Sequence, residues 1–499
     1  MRQVDLAVLL IYLAATVALG LWVSRRNRSA RDFMAAGGRL PAWAVGLSIF
    51  GTYVSSISFL ALPGKAYASN WNVFVFSLSI PLAAWLAVRH FVPFYRSSAE
   101  VSAYQHLEHR FGPWARTYAV VCYLLTQIAR MGTIMYLLAL ALAPLTGWSL
   151  PVLILVTSVS VMVYTFFGGM EAVIWTEVIQ SVVFIVGAGA CLLVLFLGMP
   201  AGPMQFFALA GEHDKFSFGS WGPALGEATV WVVLVYGVVI NLQNFGIDQS
   251  YVQRYHAAKS PREAGRSVWT GALLYLPVSG VFLLIGTGLF AFYTARPELL
   301  PAGAAEKPDS VFPHFIVTQL PVGLTGLVIA AIFAAAQSTI SSSMNCCATL
   351  VLCDLYRRYL RPGTGDAEAL RVLRVTTVVV GLLGTGAAFA MMRIKSALDV
   401  WWEWAGIFSG GMLGLFLLGL ISRRARNADA AVGVVCGVLV ILWMTLSTKA
   451  GWPAALADVR SPFHSFLTTV LGTAAILLIG LLLSRGRPRQ NSAASVDGA

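Results

Sequence analysis

Runs of roughly 18 to 25 apolar residues recur from one end of the chain to the other, each long enough to cross a bilayer core of about 30 Å as a helix. In hydrocarbon every backbone N–H and C=O must find its partner within the segment, so such runs prescribe a bundle of spanning α-helices. Only 11% of the 499 residues are charged, against about a quarter in a soluble domain of this size. The chain reads as an all-α polytopic membrane protein.

Apolar runs between charged or Pro/Gly punctuation give about thirteen spans. They lie near 4–24, 43–65, 71–95, 117–145, 150–167, 172–198, 227–250, 268–293, 322–356, 371–392, 399–421, 429–447 and 465–484. Together they form a single membrane domain over 1–484, and the polar segment 485–499 is expected to be a disordered cytoplasmic tail. Alternate connections are basic: Arg25, Arg26, Arg28 and Arg31, then Arg96, Arg110 and Arg116, then Arg254, Lys259, Arg262 and Arg266, and so on to Arg485, Arg487 and Arg489. The positive-inside rule turns these toward the cytoplasm, with the N-terminus outside and the C-terminus inside. The same distribution accounts for the net charge of +12 without invoking nucleic acid. The first run is too long for a signal peptide, and "RRNRSAR" follows it directly, so it is expected to be retained.

Several features carry little chemistry. The six cysteines have neither CxxC spacing nor a histidine partner and read as small buried side chains. His106 and His109 lack a third ligand at metal spacing and read as a solvated face. "VWWEWAG", 400–406, reads as an interfacial aromatic belt. "GTGLF" and "GGM" lack the strand context and lysine of a phosphate loop, and no hydrolytic triad or HExxH motif occurs, so an enzyme is not expected. No connection is large enough to fold alone, which counts against a receptor or sensor kinase.

Two spans break the rules of a continuous membrane helix. The second, "SIFGTYVSSISFLALPGKAY", carries Gly51, Ser55, Ser56, Ser58, Pro63 and Gly64. The seventh, "VLVYGVVINLQNFGIDQSYVQRY", carries Gly237, Asn241, Gln243, Asn244, Gly246 and Asp248. Interrupted helices at matching positions of two five-helix halves are the mark of an inverted-repeat transporter, whose unwound backbone faces ions and substrate. The competing reading is that these small residues only permit close helix packing.

The ninth span contains "AAAQSTISSSMN", with Ser338, Thr339, Ser341, Ser342 and Ser343 in six positions. Ala335, Ser338, Thr339 and Ser342 share an arc of about 100° on a helix, with Ser341 flanking it. Neutral oxygens suit a hard cation such as sodium; the alternative for each serine is a bond back to its own helix. Glu177, in the sixth span, needs a charge partner or an ion if it lies in hydrocarbon, and is ordinary if it lies at a wet helix end. Arg130, deep in the fourth span, needs a counter-charge or a water-filled cavity, and its planar fork pairs bidentately with a carboxylate. Substrate binding and a structural ion pair both remain open for it.

The stretches "GLSIFGTYVSSISFLALPGKAYASNW", "SAYQHLEHRF", "IARMGTIMYLLALAL", "GGMEAVIWTEVIQ", "DQSYVQRY" and "IAAIFAAAQSTISSSMN" together resemble the sodium:solute symporter family, and within it the bacterial sodium-coupled sialic acid transporters. That resemblance implies a LeuT-type fold with inverted five-helix repeats over about 43–198 and 227–421. The first span and those over 429–484 would be peripheral. It implies a multi-pass protein of the inner or plasma membrane, working as a monomer, with Na⁺ as coupling ion and no organic cofactor. The expected first sodium site comprises the carbonyls of Gly51, Val54 and Ala335 and the hydroxyls of Ser338 and Thr339; residue 51 would contribute only its carbonyl, so its identity should not matter. A second sodium, as in some relatives, would use Ser338, Ser341 and Ser342 with Glu177 in place of the usual aspartate. Arg130 would hold the substrate carboxylate, with Tyr53, Ser55, Ser58, Ser77 and Phe245 around it. The relatives carry threonine at position 53, glutamine at 77 and phenylalanine at 73, where this chain has Tyr53, Ser77 and Val73. A carboxylate-bearing organic solute is therefore the expected cargo, with sialic acid (N-acetylneuraminate) as the lead, imported by alternating access. The alternatives are symport of proline, a monocarboxylate or a sugar within the same family, and, from another class, a channel or a transport-like sensor.

Overall fold

Apolar length translates directly into helices. The computed structural model describes residues 2–98, 101–301, 308–393, 410–449 and 451–488. Its principal helices are α1 (Gln3–Ser24), α2 (Ala42–Tyr53), α3 (Ser56–Ala68), α4 (Phe74–Arg96), α5 (Pro113–Thr146), α6 (Leu150–Leu197), α7 (Val230–Ile247), α8 (Gln249–Ala257) and α9 (Pro261–Ala295). They continue as α10 (Leu324–Leu360), α11 (Asp366–Met391), α12 (Met412–Ile421), α13 (Asn427–Ser447) and α14 (Leu467–Leu483). Among the described residues, nine helices are long and apolar enough to cross a membrane, or ten when the α2–α3 pair, bent by 56°, counts as one span.

The thirteen apolar runs thus do not become thirteen separate long helices. The fifth and sixth runs fuse into α6, which is 48 residues long with one non-helical residue, Gly169 (φ 54°, ψ −149°). The chain nevertheless doubles back there. Tyr164 Oη donates to the Gln337 carbonyl at 3.4 Å, and the Cα of Gly187 abuts Ala331 closely enough that an added Cβ would lie 3.0 Å away. On a straight helix Tyr164 and Gly187 would be about 35 Å apart, whereas Gln337 and Ala331 are separated by about 9 Å of helix. Only glycine reaches the turn's conformation, and an added Cβ would sit 2.8 Å from Phe33 backbone atoms. The eleventh run is described only from residue 410 onward, and the "VWWEWAG" cluster lies outside the described residues.

α10 is the centre of the bundle. Every residue from 328 to 350 is buried, and 89% of its most apolar window is covered, against 33–56% for the other spans. α1, α5, α6 and α11 pack around it, and α2 packs against α6 and α9. Its N-terminus is closed by a buried acid from α1: Asp5 Oδ1 accepts from Gly323 N at 2.7 Å and Gly326 N at 3.0 Å, satisfying donors that a helix start leaves open.

Some connections are drier than their sequence suggests. Arg116 is buried and pairs with Asp354 at 2.5 Å and Glu108 at 2.9 Å rather than facing water. His106 packs its ring against Phe94 and Phe416, with centroids 5.0 and 5.6 Å away, while His109 is exposed. The histidine pair is therefore not one solvated face. All six cysteines are free thiols, four buried and two half-buried. The start of the tail is held, since Arg487 pairs with Asp429 at 3.0 Å, and residues 489–499 lie outside the described residues.

Candidate functional site

Helical geometry lapses at Val54 and Ser55, which are both extended (ψ 121° and 168°). A helix end leaves carbonyls without donors, and here one of them turns to α10. Ser338 Oγ donates to the Gly51 carbonyl at 3.0 Å and to the Ala335 carbonyl at 3.1 Å, and Thr339 Oγ1 donates to Ala335 O at 3.4 Å. Four of the five groups expected to bind sodium thus form one cluster: two carbonyls and two hydroxyls, all neutral and all on buried residues. Val54, the fifth, is fully buried at the break beside them. This donor set fits a hard monovalent cation, which needs oxygen dipoles and not a fixed charge. Glycine at 51 is not incidental, because an added Cβ would stand 3.0 Å from Ser181 Oγ on α6.

Glu177 proves to be a membrane acid with a membrane base. It and Arg254 are both fully buried, and Arg254 Nη2 donates to both carboxylate oxygens at 2.8 Å. Ser342 Oγ donates to Oε1 at 2.5 Å and Ser48 Oγ donates to Oε2. Arg254 also donates through Nε to Ser48 Oγ (2.7 Å), through Nη1 to Ser250 O (2.5 Å) and through Nη2 to Ser342 Oγ (2.6 Å). Of the second sodium set, the structure brings Glu177 and Ser342 together. Ser338 turns to Gly51, and Ser341 bonds back to Ser338 O at 3.1 Å. Arg254 had been grouped with the basic cytoplasmic connections. Its true place was legible only through Glu177, whose burial demands a counter-charge.

The second interruption is tighter than its composition suggests. Gly237, Asn241, Gln243, Asn244 and Gly246 all stay helical in α7, and the break is confined to Asp248. Asn241 donates across the bundle through Nδ2 to Ser79 Oγ at 2.8 Å, while its Oδ1 is buried without a partner among the described residues. Asp248 caps α8 by accepting from Ser250 N at 2.7 Å, and Tyr123 Oη donates to it at 3.3 Å.

The candidate substrate residues gather around an aromatic wall. The Tyr53 ring centroid lies 4.5 Å from that of Tyr275 and 6.1 Å from those of Phe245 and Tyr251; Phe245 and Tyr251 are 5.2 Å apart. The Tyr53 hydroxyl is buried without a hydrogen-bond partner among the described residues. Arg130, half-buried on α5, lies within electrostatic range of Tyr251 yet makes no hydrogen bond or ion pair among the described residues. Ser55 and Ser58 meet at 3.4 Å at the start of α3, and Ser77 is buried on α4. Tyr251 and Tyr275 were not anticipated; single tyrosines in apolar runs look like core.

Residues 33–437 match the sodium:solute symporter family along most of the chain. The chain belongs to that family. It is 35% identical to the sodium/sialic acid symporter NanT of Aliivibrio fischeri, over 95% of this chain and 91% of that one. It is 34% identical to the sodium/sialic acid symporter SiaT of Proteus mirabilis, over 96% and 94%. A solved Na⁺-coupled sialic acid symporter, substrate-bound and outward-open, superposes with a TM-score of 0.90 at 33% identity, covering 98% of this chain and 99% of that one. Mhp1, of the nucleobase-cation-symport-1 family, shares the fold alone, with a TM-score of 0.58 at 17% identity. The protein is therefore a multi-pass membrane transporter of LeuT-type fold, sodium-coupled, and not an enzyme.

Proposed function

We propose that this symporter imports a carboxylate-bearing solute with sodium, and that sialic acid is the first candidate cargo. The observation that carries the reading is Arg130: a guanidinium inside a membrane helix, beside an aromatic wall, with no hydrogen-bonded or ion-paired partner among the described residues. A substrate carboxylate supplies that charge with bidentate geometry. The relatives named for sialic acid transport support the same cargo. Tyr53, Ser55, Ser58, Ser77 and Phe245 would contact the remainder of the solute, with Tyr53 narrowing the cavity where the relatives have threonine.

Sodium is assigned to the carbonyls of Gly51, Val54 and Ala335 with the hydroxyls of Ser338 and Thr339. Because Gly51 and Val54 adjoin the broken segment and the others belong to the central α10, a cation shared between them fixes α2 against α10. Substrate and sodium then raise each other's affinity by one common factor. A second sodium at Glu177, Ser338, Ser341 and Ser342 requires Arg254 to leave the carboxylate. The basic connections would face the cytoplasm, with the N-terminus outside, and one copy would suffice for transport. Uptake of labelled sialic acid into proteoliposomes, with and without an inward sodium gradient, tests the proposal. Gradient-driven accumulation whose KM Arg130→Gln raises is expected; uptake indifferent to sodium overturns it.

A further inference from the structure

Where the chain leaves α1 and re-enters the bundle at α2, a cavity of about 530 Å³ opens at the surface. Four arginines line it, Arg25, Arg26, Arg28 and Arg39, against two carboxylates, Asp32 and Glu171. The arginines are not equivalent. The buried Glu171 carboxylate accepts from Arg26 at 3.5 Å and from Arg39 at 3.2 Å, and Asp32 also pairs with Arg39 at 3.2 Å. Arg25 and Arg28 have exposed side chains that make no hydrogen bond or ion pair among the described residues. The loop presenting them is anchored, since the buried Asn27 between them donates through Nδ2 to Phe167 O at 3.1 Å.

Leu40, Pro41 and Trp175 complete the lining, and further indoles stand nearby. Trp175 lines the cavity and meets Trp43 edge-to-face at 5.6 Å. Trp43 begins α2 and Trp22 ends α1; they are 53% and 58% exposed, and Arg26 lies 5.5 Å over the Trp22 ring. Tryptophans at the ends of spanning helices mark the headgroup level of a bilayer. A cavity with a surplus of basic charge at that level has the chemistry of an anionic headgroup site. A soluble phosphate would use the arginines but leave the exposed indoles without a role.

We infer that this cavity binds the phosphate of an anionic phospholipid between Arg25 and Arg28, with the glycerol and acyl chains against Trp22 and Trp43. The position matters for transport. The cavity is walled by Pro41, just before α2, whose Gly51 belongs to the sodium cluster, and by Glu171 and Trp175, on the part of α6 that carries Glu177. A bound headgroup therefore braces the base of α2 against α6.

Native mass spectrometry of the full-length transporter from mixed phosphatidylcholine/phosphatidylglycerol nanodiscs tests this. The wild type is expected to retain phosphatidylglycerol preferentially, and Arg25→Gln/Arg28→Gln to weaken retention by about thirtyfold, or about fivefold per basic charge. Both side chains are exposed and unpaired, so sodium-dependent thermal stabilisation should survive in the variant and show that it is folded. Equal phosphatidylglycerol retention by the double variant overturns the site. Displacement of the lipid by inorganic phosphate overturns the lipid as its ligand.

Discussion

Replacing Glu177 by Gln tests the internal ion pair most directly. The change keeps the volume but leaves Arg254 fully buried with a neutral amide where a carboxylate held it by two contacts of 2.8 Å. Breaking a buried pair from one side costs about 3–5 kcal/mol, because the surviving charge is uncompensated. Arg254→Gln should cost a similar amount, whereas the double variant removes both charges and should lose far less than the sum. A coupling of about 3 kcal/mol is expected from a double-mutant cycle. The assay is thermal unfolding of the purified protein in detergent, read by tryptophan fluorescence, with sodium or potassium chloride. Sodium adds a second arm. In Arg254→Gln the Glu177 carboxylate keeps its two hydroxyl donors, Ser48 and Ser342, and becomes a cation site. Sodium at about a hundred times its dissociation constant for that site should give this variant about 2.7 kcal/mol beyond the stabilisation that the cluster at Gly51 and Ser338 would give every variant. Additive single losses, or sodium stabilisation of Arg254→Gln no greater than that of the wild type and Glu177→Gln, would refute the reasoning.

Thr339→Ala removes one oxygen from the proposed sodium cluster; at about 1.5 kcal/mol for a contact to a charge, the sodium concentration for half-maximal uptake should rise about tenfold. Arg130→Gln should raise the KM for a carboxylate substrate by at least ~30-fold, as expected for loss of a desolvated charge pair, while sodium-dependent thermal stabilisation persists. Gly169→Ala places a Cβ 2.8 Å from Phe33 backbone atoms at φ 54°, and should lower stability by at least about 1–3 kcal/mol, seen as reduced yield of monodisperse protein. Burial, with Arg110 nearby, pushes the His106 imidazole down to about 4. Between that value and the ordinary one near 6.5 the unfolded chain binds more protons. Stability contributed by neutral His106 is therefore whole above about pH 6.5 and is lost as pH falls toward 4. His106→Gln should flatten the melting-temperature profile across that window.

What the sequence disclosed, it disclosed through costs that hydrocarbon imposes on polar atoms. The hydroxyl run on α10 and the interruption at Val54 and Ser55 were visible because serines and glycines are conspicuous there, and the structure joins them through Ser338 and Gly51. Arg254 was hidden because an arginine following an interrupted apolar run looks like a cytoplasmic flank, and nothing local marks it as buried. The same holds for Arg116, whose partner Asp354 lies 238 positions away. The reversal at Gly169 was legible as the gap between the apolar runs 150–167 and 172–198, whereas the unbroken helical contour of α6 on either side of that one residue was not. Tyr251 and Tyr275 were hidden for the opposite reason: aromatic residues in a membrane span need no explanation until four of them meet.

The two interrupted helices reach α10 within one turn of each other. α2 arrives through Gly51 at Ser338, and α8 arrives through Arg254 at Ser342, four residues or about 6 Å further along the helix. Between them stands Ser48, on α2, which donates to Glu177 and accepts from Arg254. Any displacement of α2 large enough to withdraw the Gly51 carbonyl from a cation at Ser338 also moves Ser48, and so strips one hydroxyl from the Glu177–Arg254 pair. A cation at the proposed site and the ion pair would therefore stabilise the same placement of α2. Release of one weakens the other, and since both are buried, neither can be lost by simple exchange with water. That shared dependence on a single helix is how sodium binding would be felt at the Glu177–Arg254 pair. It makes a definite demand on Ser48→Ala, which removes no ligand of the expected first sodium site: the variant should weaken sodium binding there measurably while leaving substrate affinity at saturating sodium unchanged. Unaltered sodium affinity in that variant would separate the two sites and leave α2 without its proposed coupling role.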